Sequence, residues 1–474
     1  MPNRLGSRTF AVVLGVAAFL ATFAAAPAAE CSGKIDELVL TQLKGNERTN
    51  VFAKMAADAD LSGAQRIADR VARLNHVHDT LTAQVASSQQ DITAFLDGQG
   101  VRYQSFWINN SVYVYGADRA LVDALAARSD VAHVRGDHEV PLVRPVSVQE
   151  ADAPQAIEWG ITMINADDVW ATGNRGAGIV VANIDTGVRW THDAIDNQYR
   201  GVAGDHDYNW WDPDHVFSVP TDTTAHGTHT MGTMVGDDGG SNQIGVAPQA
   251  KWIAAQGCDS FSCSDFDLTS SAQFMTCPTR RDGSAPDCSK APHVINNSWA
   301  GGGGNPWYTS FTDAWVAAGI MPVFAIGNAG PGCNTAGSPG DYKKVIGVGA
   351  VNISGFLAFF SSKGPGVFRM AKPDVVAPGE GVRSASNSSD TSYVSMSGTS
   401  MAAPHAAGTI ALMLNDTPSA SLQDLFNALK GTTFQGNPNP PDPDNCGGRP
   451  YNVYPNAIYG HGRIDALAAV NDLP

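Results

Sequence analysis

Ser397-Gly398-Thr399-Ser400-Met401-Ala402-Ala403-Pro404-His405 leads directly into an apolar run through Ile410-Ala411-Leu412-Met413-Leu414. The run reads as a helix, with Ser400 where that helix begins. Free backbone N–H groups and the positive end of the helix dipole at such a place favour an oxyanion forming beside the hydroxyl. A plain N-cap is the ordinary use of a serine there. That use does not account for Gly398 or for the small Ala402, Ala403 and Ala406, which keep the backbone and the solvent face open around Ser400.

Working outward, three further segments carry the groups that a reactive serine needs. Asp185 closes the apolar run Ile179-Val180-Val181-Ala182-Asn183-Ile184 and precedes Thr186-Gly187. Its carboxylate therefore falls at the carboxyl edge of a central strand, where the ligand sites of open α/β sheets collect. Alone it would be a turn aspartate. Asp-Thr-Gly is also the string of aspartic proteases, but that chemistry needs two carboxylates sharing a proton, and no second Asp-Thr-Gly or Asp-Ser-Gly occurs. His226 opens His-Gly-Thr-His-Thr-Met-Gly at a helix start, where a lone histidine is more often a hydrogen-bonded structural group. His229 invites a metal reading, yet no His-Glu-x-x-His exists, so a zinc peptidase lacks its ligands and its base. Asn328 lies between two glycines at the end of Phe324-Ala325-Ile326-Gly327. It can donate its amide to a developing oxyanion, against the common turn use of Asn-x-Gly. Only the combination of the four decides.

The apolar runs 178–184, 252–255, 294–295, 321–326 and 345–351 are buried-strand candidates. Helical patterns fall between them, at the stretch opening at His226, at 265–275, and at 311–318 with Gly319 as a stop signal. Strands alternating with helices predict an α/β layer fold: a parallel β-sheet flanked by helices on both faces.

Upstream lies a smaller unit of different character. An Ala-rich helical stretch is expected around 56–85. A hairpin should follow from Tyr103–Ile108 and Val112–Tyr115 across the turn formers Asn109-Asn110-Ser111, then a helix over 118–128 and a strand near Val131. This is a small α+β domain. Residues 141–154 hold three prolines and no periodicity, and read as an exposed linker. The expected organisation is residues 1–28 as a signal peptide, 29–150 as the small domain with its linker, and 151–474 as the α/β domain.

The signal peptide follows from Arg4 and Arg8, the uncharged run Phe10 to Pro27, and the small Ala26 and Ala28 at the spacing a signal peptidase accepts. No other span approaches ~20 apolar residues. Export to an oxidising compartment suits the six cysteines beyond Cys31, expected as disulfides. Cys258 with Cys263 and Cys277 with Cys288 would close short loops, although the connectivity stays open. Zinc lacks a Cys-x-x-Cys pair. A formal net charge of −16, from 46 acidic against 30 basic residues, repels phosphate backbones and excludes nucleic acid as a partner.

The four segments in the order Asp, His, Asn, Ser resemble the subtilisin-like serine peptidases, and the resemblance runs from about Ile157 to the C-terminus, including Gly460-His461-Gly462-Arg463-Ile464-Asp465. Ala225 to Asp238, Ile295-Asn296-Asn297-Ser298-Trp299 and Gly257 to Cys263 look most like the bacillopeptidase F-type branch. The resemblance implies that Asp185 orients His226, that His226 deprotonates Ser400, and that Asn328 with the Ser400 N–H stabilises the tetrahedral intermediate. It implies a secreted serine endopeptidase whose first domain is a prodomain that assists folding, blocks the cleft and is removed by the enzyme itself. Partners are then protein or peptide substrates and the chain's own prodomain; the enzyme is expected to be a monomer, free of the membrane once its signal is removed.

The substrate residue before the scissile bond should lie between Ser298, Trp299, Ala300 and Gly301 on one wall and Ala325, Ile326 and Gly327 on the other, since extended peptides pair with strand edges. Trp299 departs from the smaller apolar residue usual in better-known members. No cofactor is expected for catalysis. Family members often bind structural calcium, and Asp193, Asp205, Asp207, Asp212 and Asp214 offer oxygen donors in a loop-rich region, without a calcium-loop signature. Two other readings share the triad: a serine esterase or acyltransferase, which would lack its usual Gly-x-Ser-x-Gly elbow, and a peptide-binding pseudoenzyme.

Overall fold

A computed structural model describes residues 33–150, 157–366, 369–436 and 445–474. The expected signal segment, 1–28, lies outside them.

In the first unit, α1 (Glu37–Gly45), β1 (Thr49–Met55), α2 (Arg70–Ser88), α3 (Gln90–Gln99), β2 (Tyr103–Phe106), β3 (Ser111–Ala117), α4 (Arg119–Ala127) and β4 (Val131–Gly136) follow one another. The strands form one antiparallel sheet in the order β2-β3-β1-β4. The hairpin and the helix after it are those expected. The long helix begins later than expected, at Arg70 rather than near Ala56. Asp60 accepts the Ser62 N–H, a local turn that competes with helix, and Asp69 caps the first turn by accepting from Ala72.

The chain then runs through β5 (Glu139–Pro141) and β6 (Ser147–Glu150). Here the expectation of an exposed linker over 141–154 is corrected at Leu142 and Val143, while Val146 and Val148 are exposed and 151–154 lie outside the described residues. Leu142 and Val143 are only 5% and 7% exposed. The stretch lacks a regular period because its two strands pair with different edges of the second unit.

That unit contains α5 (Trp159–Met163), α6 (Ala166–Ala171), β7 (Val180–Asp185), β8 (Trp210–Trp211), α7 (His226–Val235), β9 (Lys251–Gln256), β10 (Ser262–Ser264) and α8 (Asp265–Thr276). It continues with β11 (Val294–Asn297), α9 (Thr309–Ala318), β12 (Met321–Ala325), β13 (Ile346–Val351) and β14 (Val375–Pro378). It closes with β15 (Val382–Ala385), β16 (Tyr393–Ser397), α10 (Thr399–Asp416), α11 (Leu422–Gly431) and α12 (Ala466–Asn471). Seven strands form one sheet in the order β14-β13-β12-β11-β7-β9-β8, with every pairing parallel. Because helices cover both faces, the strands are apolar throughout rather than alternating; β12 and β13 are buried at every position. One core cluster gathers Met231, Ala402, Ala406 and Ile410 with the sheet, and a second gathers Leu268, Phe311 and Trp315. Gly319 ends α9 in the left-handed region at φ 80°, as its sequence position suggests.

The first unit docks on the second. Leu74, Val77 and Leu81 of α2 are buried within that second cluster, each contributing about 1.5–3 kcal/mol by leaving water. Arg70 donates to the carbonyls of Ala291 and Pro292. Three disulfides pin the loops: Cys258–Cys263, Cys277–Cys288 and Cys333–Cys446.

Candidate active site

All four singled-out groups lie at the carboxyl edge of the parallel sheet. Asp185 is the last residue of β7, His226 the first of α7, Asn328 lies just past β12, and Ser400 sits in the first turn of α10. Bringing α7 onto the end of β7 requires close backbone approach. A Cβ at Gly227 would lie 2.0 Å from the Gly187 carbonyl oxygen, so only glycine fits there.

His226 Nδ1 donates to Asp185 Oδ1 at 2.6 Å, with both side chains buried. Asp185 is itself held: the Thr186 N–H donates to Oδ1 and the Thr230 hydroxyl to Oδ2. Asp222 backs the pair from one step away, accepting from the Thr186 and Thr228 hydroxyls. Burial disfavours a charged His226, but the neighbouring Asp185 carboxylate outweighs it and holds the imidazole pKa above its ordinary value. His229 behaves oppositely. Burial with no carboxylate beside it pushes its pKa down to about 3, and it is a neutral structural group facing the Val382 carbonyl. Among the described residues, no group of three metal-type side chains includes it.

The Ser400 hydroxyl does not reach His226. It donates to the Val143 carbonyl at 2.6 Å and lies 3.3 Å from the Ser298 carbonyl, while the buried His226 imidazole also faces the Val143 carbonyl. Ser400 is anchored from behind by a device of α10. Pro404 lies within that helix and has no N–H to offer the Ser400 carbonyl four residues back. The Ser298 hydroxyl supplies the missing donor at 3.0 Å, tying the end of β11 to the serine.

Asn328 is oriented by Thr399, whose N–H and hydroxyl each donate to its Oδ1 at 2.9 Å. Its Nδ2 is thereby aimed outward and donates to the Arg144 carbonyl at 2.9 Å. Gly398 leaves room for this amide, since a Cβ there would lie 3.1 Å from Nδ2. Thr399 and Thr230 went unnoticed in the sequence, where nothing distinguishes them from other threonines.

The chain's own stretch 139–150 thus fills the cleft. β5 pairs antiparallel with β10, Leu142 bridges Trp299, the Val146 N–H donates to Ser397, and β6 pairs antiparallel with β16. Of the expected pocket walls, Trp299 does pair with the bound chain, but its ring is buried beneath the wall, edge-on to Tyr308 and Phe324. Gly301 pairs with Ser338 instead. The Ile326 carbonyl accepts from the Gly337 N–H, and the Gly327 N–H donates to the Thr399 hydroxyl oxygen. Gly337, Ser338 and Phe261 complete the surroundings; the first two lie outside the quoted motifs, and Phe261 lies within Gly257 to Cys263 but was assigned no role there.

The five acidic residues considered for calcium are not gathered. Asp205 accepts from the Asp207 N–H, Asp207 pairs with Arg281, and Asp212 accepts from the N–H groups of Asp214 and Phe217. Among the described residues only His78, Cys277 and Cys288 form a three-membered group of metal-type side chains, and those cysteines are joined to each other. The five carboxylates therefore do not form a calcium cage between them.

Residues 176–462 match the profile of the subtilase family. Bacillopeptidase F of Bacillus subtilis is 34% identical over 421 residues, covering 83% of this chain and 28% of that protein. Subtilisin DY of Bacillus licheniformis is 34% identical over 285 residues, covering 59% of this chain and 92% of its own length. Subtilisin E of Bacillus subtilis is 29% identical over 367 residues, covering 76% and 84%. A parallel α/β sheet with these groups at its carboxyl edge defines a subtilisin-like peptidase, and the chain belongs to the subtilase family, a family of serine endopeptidases. It spans only 28% of the length of bacillopeptidase F, the branch its motifs resemble.

Proposed function

We propose that the protein is a secreted serine endopeptidase that hydrolyses peptide bonds through an acyl-enzyme on Ser400 and is made as a self-processed precursor. In this reading Asp185 holds His226 in the tautomer whose Nε2 takes the Ser400 proton. The Ser400 oxygen adds to the carbonyl carbon, and Asn328 Nδ2 with the Ser400 N–H receives the oxyanion. His226 then returns the proton to the leaving amine, and water repeats the sequence to free the acid.

The observation that carries this is the Arg144 carbonyl resting on the Asn328 amide beside Ser400, within a chain paired as strand on both sides. An extended polypeptide suits such a cleft, which favours peptides over the simple esters of an esterase. The same observation supports residues 29–150 as an inhibitory prodomain, since substrate has no access while this stretch is bound. The leader-like segment before Pro27 and the three disulfides support export.

The test treats purified mature protein with a serine-directed phosphonate, maps the adduct by mass spectrometry, and assays casein beside a simple ester. An adduct on Ser400 with casein cleavage is expected. Ester turnover without casein cleavage would favour an esterase; absence of both adduct and turnover would favour a pseudoenzyme.

A further inference from the structure

The bound stretch has an order of residues that a substrate would not have. Arg144 presents its carbonyl to the Asn328 amide, and the next residue is Pro145, whose Cα lies where a Cβ on Gly398 would meet it at 3.7 Å. Beyond it, the chain continues on the far side of Ser400. The Val146 N–H donates to Ser397 at 2.7 Å, the Ser147 and Ser397 hydroxyls are hydrogen-bonded, and β6 runs antiparallel to β16 through Glu150. The polypeptide is held before and after the nucleophile.

We infer that residues 139–150 are a cleavage-resistant occupant of the cleft, docked along β10 and β16, and that Pro145 is the residue that keeps the bond held at Asn328 from being cut. The inference rests on Ser400 acting as nucleophile. Two local features support it. The bond following the Arg144 carbonyl ends on a proline nitrogen. To break, that nitrogen must take a proton from His226, yet it is a ring nitrogen that already carries three carbon substituents and a fixed φ. The preceding bond is also misaligned. The Arg144 N–H folds back to the Leu142 carbonyl at 2.7 Å, a tight turn about Val143 that points the Val143 oxygen, rather than its carbon, at the Ser400 hydroxyl.

Pairing on both sides gives the stretch affinity independent of cleavage, and proline removes the reaction that would end it. Maturation must then cut outside 142–146, and the plug leaves only after that cut.

The experiment expresses the full precursor with wild-type sequence, with Pro145→Ala, and with Arg144→Ala in a host lacking other extracellular proteases. N-terminal sequencing and mass spectrometry locate every junction cut, and each product is assayed on casein. In Pro145→Ala, Ser400 Oγ adds to the Arg144 carbonyl carbon, the C–N bond breaks as His226 protonates the nitrogen of residue 145, and water hydrolyses the ester to the Arg144 carboxylate. Cleavage at that bond should rise by about tenfold or more over wild type. Arg144→Ala, which keeps the proline, should remain uncut there. A wild-type N-terminus at Pro145 would overturn the inference, as would a Pro145→Ala precursor with an unchanged junction pattern. If casein is still cleaved in that case, the inference alone fails; if it is not, the functional reading fails with it.

Discussion

At the residue scale, the site is a set of side chains each fixed by another. Asp185 fixes His226, Thr399 fixes Asn328, and Ser298 takes up the carbonyl that Pro404 cannot serve. Because the Asp185 carboxylate raises the His226 pKa, kcat/KM should fall as pH drops through that raised value and the base becomes protonated. In Asp185→Asn the acid limb should move to lower pH, with a turnover loss of about 10⁴-fold, as found for such an amide in another serine-protease triad. A pH–rate profile with an unmoved limb would take Asp185 out of this role. Asn328→Ala should lower kcat by about 10²–10³, the cost known for an amide of this kind in subtilisin, with KM little changed. Ser298→Ala should lose a hydrogen bond worth about 1 kcal/mol, about fivefold in kcat, with Ser298→Thr restoring part of it; equal kcat in all three would show that the tie to Ser400 is idle. The principal groups were legible in sequence because each ends an apolar run or opens a helical one. Their supports were not, since Thr399, Thr230 and Asp222 act only through contacts made by folding.

At the scale of elements, the main strands were legible because burial on both faces leaves unbroken apolar runs. Short strands such as β8, β15 and β16 were not, since Trp210-Trp211 or Tyr393 to Ser397 carries no period of its own and is defined by its neighbours. The part of the expected linker up to residue 150 was misread for the same reason. It pairs with edges contributed from distant sequence. Besides α2, the seam between the units includes α8, whose start meets β4 and β5. Arg135 pairs with buried Asp265, Asp137 accepts the Phe266 N–H, and Asp267 faces the Ser264 hydroxyl near Asp137, Glu139 and Asp214. Burial raises the pKa of Asp137, and burial, aided by those carboxylates, pushes Asp267 up to about 8. The share of these shifts that comes from across the seam, such as Asp137 and Glu139 acting on Asp267, takes up protons on docking. That part of the docking free energy is complete at low pH and is lost as pH rises through about 8. With a Ser400→Ala precursor, clipping of the first unit by added trypsin, normalised to an unfolded reporter, should therefore be faster at about pH 9 than at about pH 6. A rate independent of pH would remove these carboxylates from the seam's energetics.

At the scale of the whole molecule, one polypeptide supplies both a peptidase fold and the peptide lying in its cleft. On the function proposed above, the feature that governs activity is internal: the catalytic unit meets a substrate only after residues 139–150 have left the cleft in which they pair. Wild-type and Ser400→Ala precursors, produced in parallel in a protease-deficient host, test this most directly by intact mass and by casein hydrolysis. The account predicts a shortened, active wild-type chain and a full-length, inactive Ser400→Ala chain that retains the first unit. A Ser400→Ala chain that reaches the same mature mass and still cleaves casein would contradict it.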